Sequence, residues 1–343
     1  MNLPVALNTA PMEAASVSEI PRGANWQYEP KWDGFRCLAF RDGLEVAMMS
    51  KSGQPLERYF PEMVEALKSL RATKFVLDGE LVLLRGKRAD FDALLQRIHP
   101  AESRIRKLST ETPATFIVFD LVVDSRGRDL SRRPLQERRA ALEKFATQYL
   151  RGSTRIRLSP ATPDFAIARQ WFEEMAGELD GVIAKRTDAP YESGERDAMV
   201  KIKNLRSADC VVGGFRYAAK GNLVGSLLLG LYDDHGKLNH VGFTSGIKVT
   251  DKQSLTKKLE SLIAPPGFTG AAPGGPSRWS SSRSGEWKPL KPQLVVEVQY
   301  DHFSGRRFRH GTRLLRWRPD KKPSSCTMTQ VERESISPVD LLQ

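Results

Sequence analysis

Cysteine is scarce. Three occur in 343 residues, Cys37, Cys210 and Cys326, odd in number and far apart. That excludes a disulfide scaffold and a cysteine-rich zinc site, and it fits a reducing cytoplasm. Long apolar runs are lacking as well. The longest, Val224 to Tyr232, spans nine residues and includes two glycines and a serine, well short of the ~20 that a membrane helix needs. Residues 1–12 carry no lysine or arginine and are broken by Pro4 and Pro11, unlike a secretory leader. No internal repeat is evident.

Positive charge is in excess: 53 Lys and Arg face 41 Asp and Glu, for a net +12. Such a balance permits a polyanionic partner, nucleic acid being the usual one. The length suggests two domains. A boundary near Arg206 divides the charge unevenly. Residues 1–205 hold 32 of the basic and 29 of the acidic side chains, whereas residues 206–343 hold 21 and 12.

The first part mixes strand and helix patterns, the signature of an α+β fold. Asp42-Gly43 between Arg36–Arg41 and Leu44–Ser50 predicts a hairpin. Phe75–Leu84 and Thr115–Val123 read as buried strands, and Pro61, Leu135–Tyr149 and Asp164–Met175 mark helices. The second part reads as short strands with one helix across Asp251–Ile263, a small barrel in outline. The stretch 264–292, rich in Gly, Pro and Ser, is expected to be a long mobile loop.

Several segments could carry chemistry. Lys31 stands among Tyr28, Trp32 and Phe35, followed by the Asp33-Gly34 turn and Arg36. Asp78-Gly79-Glu80 puts two acids inside an apolar strand, where they need cations or donors. Asp180-Gly181-Val182-Ile183-Ala184-Lys185 repeats the pattern of acid, glycine, apolar run and lysine. Lys201 and Lys203 alternate with Val200 and Ile202 and so share one strand face, an arrangement suited to a phosphate.

In this order the segments resemble the collinear motifs of the covalent nucleotidyltransferases: DNA ligases, RNA ligases and mRNA capping enzymes. Arg316-Trp317-Arg318-Pro319-Asp320-Lys321 is similar to the last ligase motif. The match is nearest to short bacterial ATP-dependent DNA ligases of the ligase C type. The resemblance implies an adenylation domain at 1–205 and an OB-fold domain at 206–343. It implies Lys31 as a nucleophile that carries AMP, and amine attack requires the neutral form that nearby cations favour. Glu29 would accept from the adenine amino group and Phe119 would stack on the base. Arg36, Lys51, Lys185, Arg196, Lys201 and Lys203 would bind the nucleotide, with Glu80 on the ribose or the metal. Arg318 and Lys321 would orient the leaving pyrophosphate. Glu80 and Asp180 would hold Mg²⁺ or Mn²⁺. Arg306, Arg307, Arg309, Arg313 and Arg316, interleaved with Phe303, Phe308 and Trp317, would track DNA phosphates independently of sequence.

Three positions depart from the pattern: Lys51 stands where arginine is common, Asp180 where glutamate is commoner, and Met199 where tryptophan is usual. The expected substrate is nicked duplex DNA with ATP. The expected protein is a cytoplasmic monomer, with excision-repair or end-joining proteins as partners. An RNA ligase, a capping-type enzyme and a non-catalytic OB nucleic-acid binder are the alternatives.

Overall fold

The computed structural model describes the chain apart from residues 87, 176–178, 275–285, 333–336 and 343. The chain divides into two compact units, Met1–Asn204 with Ser335–Gln343, and Leu205–Glu334. The sequence placed everything after residue 205 in the second domain. The final stretch instead joins the first unit, where Leu342 is buried with Tyr28, Trp32 and Val182 and accepts a hydrogen bond from Arg157 at its carbonyl, at 2.9 Å.

In chain order the first unit forms β1 (Ala15–Ser16), β2 (Trp26–Pro30), β3 (Phe35–Asp42), β4 (Glu45–Ser50), α1 (Pro61–Ser69) and β5 (Lys74–Val82). A small hairpin of β6 (Leu84–Arg85) and β7 (Arg88–Ala89) precedes α2 (Phe91–Leu95), α3 (Glu102–Glu111), β8 (Thr115–Val123) and α4 (Leu135–Phe145). Then come β9 (Ile156–Leu158), α5 (Phe165–Glu174), β10 (Gly181–Arg186) and β11 (Met199–Lys203). The strands make two sheets, ordered β4-β3-β5-β8-β9 and β1-β11-β10-β2.

Strands β5 and β8 are central, so both of their faces are covered and their sequences run apolar almost throughout. Alternation sorts their side chains. Phe75, Leu77, Leu81, Phe116 and Val118 pack with Met63 and Leu67 of α1 and Leu142 and Phe145 of α4. Val82 and Ile117 point the other way and meet Tyr28, Val182 and Ile202 of the smaller sheet. Asp78 and Glu80 belong to this second set by their period of two. Two acids of an apolar strand are thereby aimed between the sheets. Helix α1 starts at Pro61, which suits the first turn. Helix α5 is capped by Asp164, whose carboxylate accepts from the Ala166 N–H at 2.7 Å.

The second unit contains β12 (Arg206–Tyr217), β13 (Val224–Tyr232), β14 (Leu238–Thr244), α6 (Lys252–Glu260), β15 (Lys288–Pro289), β16 (Val295–Tyr300), β17 (Phe303–Ser304), β18 (Arg307–Phe308) and β19 (Arg313–Trp317). The strand order β14-β13-β12-β16-β19 is closed by a parallel bridge between Thr244 and Thr312. The Thr312 N–H donates to the Phe243 carbonyl at 3.0 Å, and the Thr244 hydroxyl donates to the Thr312 carbonyl at 2.9 Å. The result is a five-stranded barrel of the OB type, with Phe215, Leu227, Leu229, Val241 and Val296 in its core. The expected free loop at 264–292 is corrected in its described parts. Phe268 and Leu290 are buried in the barrel core, and β15 pairs with β12. Residues 275–285 of that stretch lie outside the described residues.

Candidate active site

The site grows from the end of β2. Lys31 follows that strand, and its backbone is tied to β10: the Lys31 N–H donates to the Gly181 carbonyl at 2.9 Å, and the Asp180 N–H donates to the Lys31 carbonyl at 3.0 Å. This exchange sets the Lys31 side chain beside the Asp180 carboxylate, and the two form an ion pair. Two glycines permit the arrangement. A Cβ on Gly34 would stand 2.1 Å from the Leu81 carbonyl oxygen, and one on Gly181 would stand 1.9 Å from that of Ile202. Without the first, the turn after Lys31 could not lie against β5 and Glu80. Without the second, Asp180 could not lie between β2 and β11. Gly181 also takes φ 131°, open to glycine and strained for other residues.

A cavity of about 190 Å³ opens over these residues. Of the residues expected in the site, Glu29, Lys31, Arg36, Lys51, Glu80, Phe119, Lys185 and Lys201 line it. Lys203 is joined to it through Asp180, whose carboxylate is 4.0 Å from the Lys203 ammonium. Arg196 is joined through Glu13, at 2.7 Å. Sequence reasoning passed over Met12, Glu13 and Ile183, which also line the cavity. Met12 and Glu13 lie in a segment with no motif of its own. Ile183 stands inside one, where an apolar residue gives no separate signal.

Each charged group has a defined environment. Arg36 reaches Asp78 with two nitrogens, both at 2.6 Å, and Tyr191 donates its hydroxyl to the same carboxylate at 2.6 Å. Asp78 is therefore the buried acid with its partners supplied, and Arg36 is fixed at 4.5 Å from the Phe119 ring centroid. Glu80 is the contrasting acid. No hydrogen bond or ion pair reaches its carboxylate among the described residues. Burial pushes its carboxyl up to about 7, opposed by the Arg36 and Lys31 cations. Such an orphan oxygen donor is chemically suited to a hard divalent cation. Asp180, engaged by Lys31 and Lys203, is less available for one. Burial first, and then the neighbouring cations Lys31, Lys51 and Lys203, hold the Lys201 ammonium below the usual lysine range. Glu13 bridges Lys51 at 3.2 Å and Arg196 at 2.7 Å. The cleft thus gathers amines around a space suited to phosphate, and the Glu29 carboxylate and the Phe119 ring line the same cavity.

The second unit holds the remaining expected residues. Arg318 pairs with Asp209 at 2.9 Å, with Glu297 at 3.4 Å and with Asp320 at 2.8 Å. Lys321 is 3.6 Å from Asp209. Arg306 sits at the tip of the β17–β18 hairpin beside Gly305, with φ 64° and 55° respectively. Phe308 anchors that hairpin on Tyr300 and Phe303. Arg306, Arg307, Arg313 and Arg316 are exposed, Arg309 is half-buried, and Arg316 pairs with Glu297 at 2.7 Å.

Residues 11–203 match the family described as ATP dependent DNA ligase domain, and residues 220–321 match ATP dependent DNA ligase C terminal region. The chain is 44% identical to DNA ligase C2 of Mycolicibacterium smegmatis, over 97% of this chain and 96% of that protein. It is 44% identical to DNA ligase C of Mycobacterium tuberculosis over the same shares. A solved structure from a structure–function study of Lig E DNA ligases aligns with a TM-score of 0.54 at 16% identity, covering 89% of this chain and 99% of that one. At that identity the likeness concerns the fold.

Proposed function

Because the chain belongs to the ATP-dependent DNA ligase family, we propose that it seals nicks in duplex DNA by three displacements at phosphorus, with Lys31 as the first nucleophile. The neutral Lys31 amine attacks the α-phosphorus of ATP, the bond to the β-phosphate breaks, and pyrophosphate leaves. Asp180, already in contact with Lys31, takes the ammonium proton. An oxygen of the DNA 5′-phosphate then attacks the same phosphorus and the lysine departs. Last, the 3′-hydroxyl attacks the 5′-phosphorus and AMP is expelled.

Lys201 and Lys203 hold the α-phosphate. Glu29 and Phe119 bind the base, while Arg36, Lys51, Lys185 and Arg196 complete the nucleotide site. Arg318 and Lys321 act on the pyrophosphate after exchanging their carboxylate partners. Glu80 would hold Mg²⁺ or Mn²⁺, which would shield phosphate charge when bound; Asp180 joins it only on releasing its lysines. The hairpin and β19 arginines carry the DNA backbone. The protein works as a cytoplasmic monomer on nicks made in excision repair or end joining.

The observation that carries this reading is the convergence of Lys31, Glu29, Glu80 and Lys201 on one cavity. Incubation with ATP labelled at the α-phosphate, with Mg²⁺, should leave AMP on the protein, and Lys31→Ala should remove the label. A labelled Lys31→Ala protein would show the nucleophile to be elsewhere.

A further inference from the structure

Next to the cavity lies a buried polar side chain with no role in the reaction above. Gln27 precedes Glu29 by two residues on β2, so both side chains leave the same face of the strand. On the adjacent strand, Lys185 is registered opposite Gln27, and Ile183 opposite Glu29. Only 9% of Gln27, 2% of Glu29 and 2% of Lys185 is exposed. Gln27 donates from Nε2 to Glu29 Oε1 at 2.8 Å. Lys185 Nζ stands 2.8 Å from Glu29 Oε2 and 4.5 Å from the Phe119 ring centroid.

One oxygen of the Glu29 carboxylate thus accepts the Gln27 hydrogen bond, and the other faces the Lys185 ammonium as an ion pair whose geometry makes no hydrogen bond. Lys185 alone would not fix the group, because an ammonium is a compact charge on a flexible stem and a carboxylate can swivel with it. The Gln27 amide, a directional donor on the other oxygen, pins the carboxylate plane. Each oxygen still has a lone pair to give, in a direction now set by β2 and β10.

We propose that Gln27 is a positioning residue for base selection: its amide locks Glu29 so that the carboxylate accepts the exocyclic amino group of adenine and rejects purines that lack one. The proposal rests on the base-binding reading of Glu29 given above. A buried acceptor discriminates against a ligand without the donor because it is left unpaired. That penalty holds only while the acceptor cannot turn to another partner, and Gln27 blocks the turn.

The test compares ATP with purine riboside triphosphate, which differs only by the missing amino group. Self-adenylation is measured as kcat/KM for each, on the full-length wild type and on Gln27→Met, which keeps side-chain length and loses the donor. The ratio of the two values does not depend on how much of a preparation is folded. Wild type should prefer ATP by at least about 10-fold. In Gln27→Met the ratio should fall by about 10-fold, through KM for ATP with its kcat kept. An unchanged ratio in Gln27→Met, with a high one in wild type, would overturn the proposal and leave the Glu29 reading standing. A wild-type ratio near one would overturn both.

Discussion

Glu80 sits where burial and two cations act in opposite senses, and burial wins, leaving its carboxyl at about 7. Its folded-state value lies above the usual glutamate range, so the native state binds this proton more tightly than the unfolded chain does. The stabilising contribution is present at low pH and is lost as pH rises through 7. Glu80→Gln, which cannot ionise, should therefore gain stability relative to wild type between pH 5 and pH 8, by roughly 2 kcal/mol. Urea unfolding at the two pH values measures this, and an equal difference at both would contradict it. The same variant should lose most self-adenylation at either pH, since the ionised oxygen is the proposed ligand.

Arg306 presents the opposite balance at a single backbone position. A φ of 64° suits a two-residue hairpin turn but costs a residue with a side chain about 1 kcal/mol. Arg306→Gly should leave the melting temperature unchanged or raise it. Nicked-DNA affinity should nevertheless drop, with a salt dependence shallower by about one phosphate contact. An unaltered salt slope would remove Arg306 from the DNA-contacting set.

Among the elements, β8 and α4 show most clearly what was legible in the sequence. The apolar run Thr115–Val123 predicts β8 with the ends it has in the structure, because β-branched and aromatic residues between polar breaks leave little choice. What the run cannot reveal is the use made of Asp120. Arg138 of α4 binds it with two nitrogens, at 2.9 and 3.0 Å, and both residues are buried. Removing one partner leaves a buried charge, so Arg138→Ala should destabilise the first unit by about 3–5 kcal/mol. Pairing Arg138→Met with Asp120→Leu should recover much of that in denaturant titrations; a double variant as weak as the single one would point to a loss of packing instead. The Lys31 and Lys201 segments were legible because their motifs are contiguous. Asp78 with Tyr191, 113 positions apart, and Gln27 with Glu29 and Lys185 were not. Such pairings depend on strand register, which alternation alone does not fix. The two-residue β1 was below any periodic signal, and Phe268 was masked by the Gly and Pro around it.

For the whole molecule, the uneven charge now has an address. Part of the excess of the second part lies exposed on the β17–β18 hairpin and on β19, at Arg306, Arg307, Arg313 and Arg316, whereas Arg318 and Lys321 are held by carboxylates of their own unit. If these two act on pyrophosphate, Arg318→Ala should lower self-adenylation by an order of magnitude or more. Sealing of a nick that already carries AMP should change little, since no pyrophosphate leaves in that step. Equal losses in the two assays would argue against the assignment. One further property follows from Leu342 lying in the core of the first unit. In chain terms the barrel is an insertion, entered and left through two junctions with the same host. A single cut after Asn204 would therefore not yield two self-sufficient halves. The N-terminal fragment would lack Leu342, one of the buried side chains of its core, and the C-terminal fragment would carry that side chain as a sticky end. Anyone dividing the labour between separate polypeptides has to cut twice and supply the short last piece in trans or graft it back onto the first.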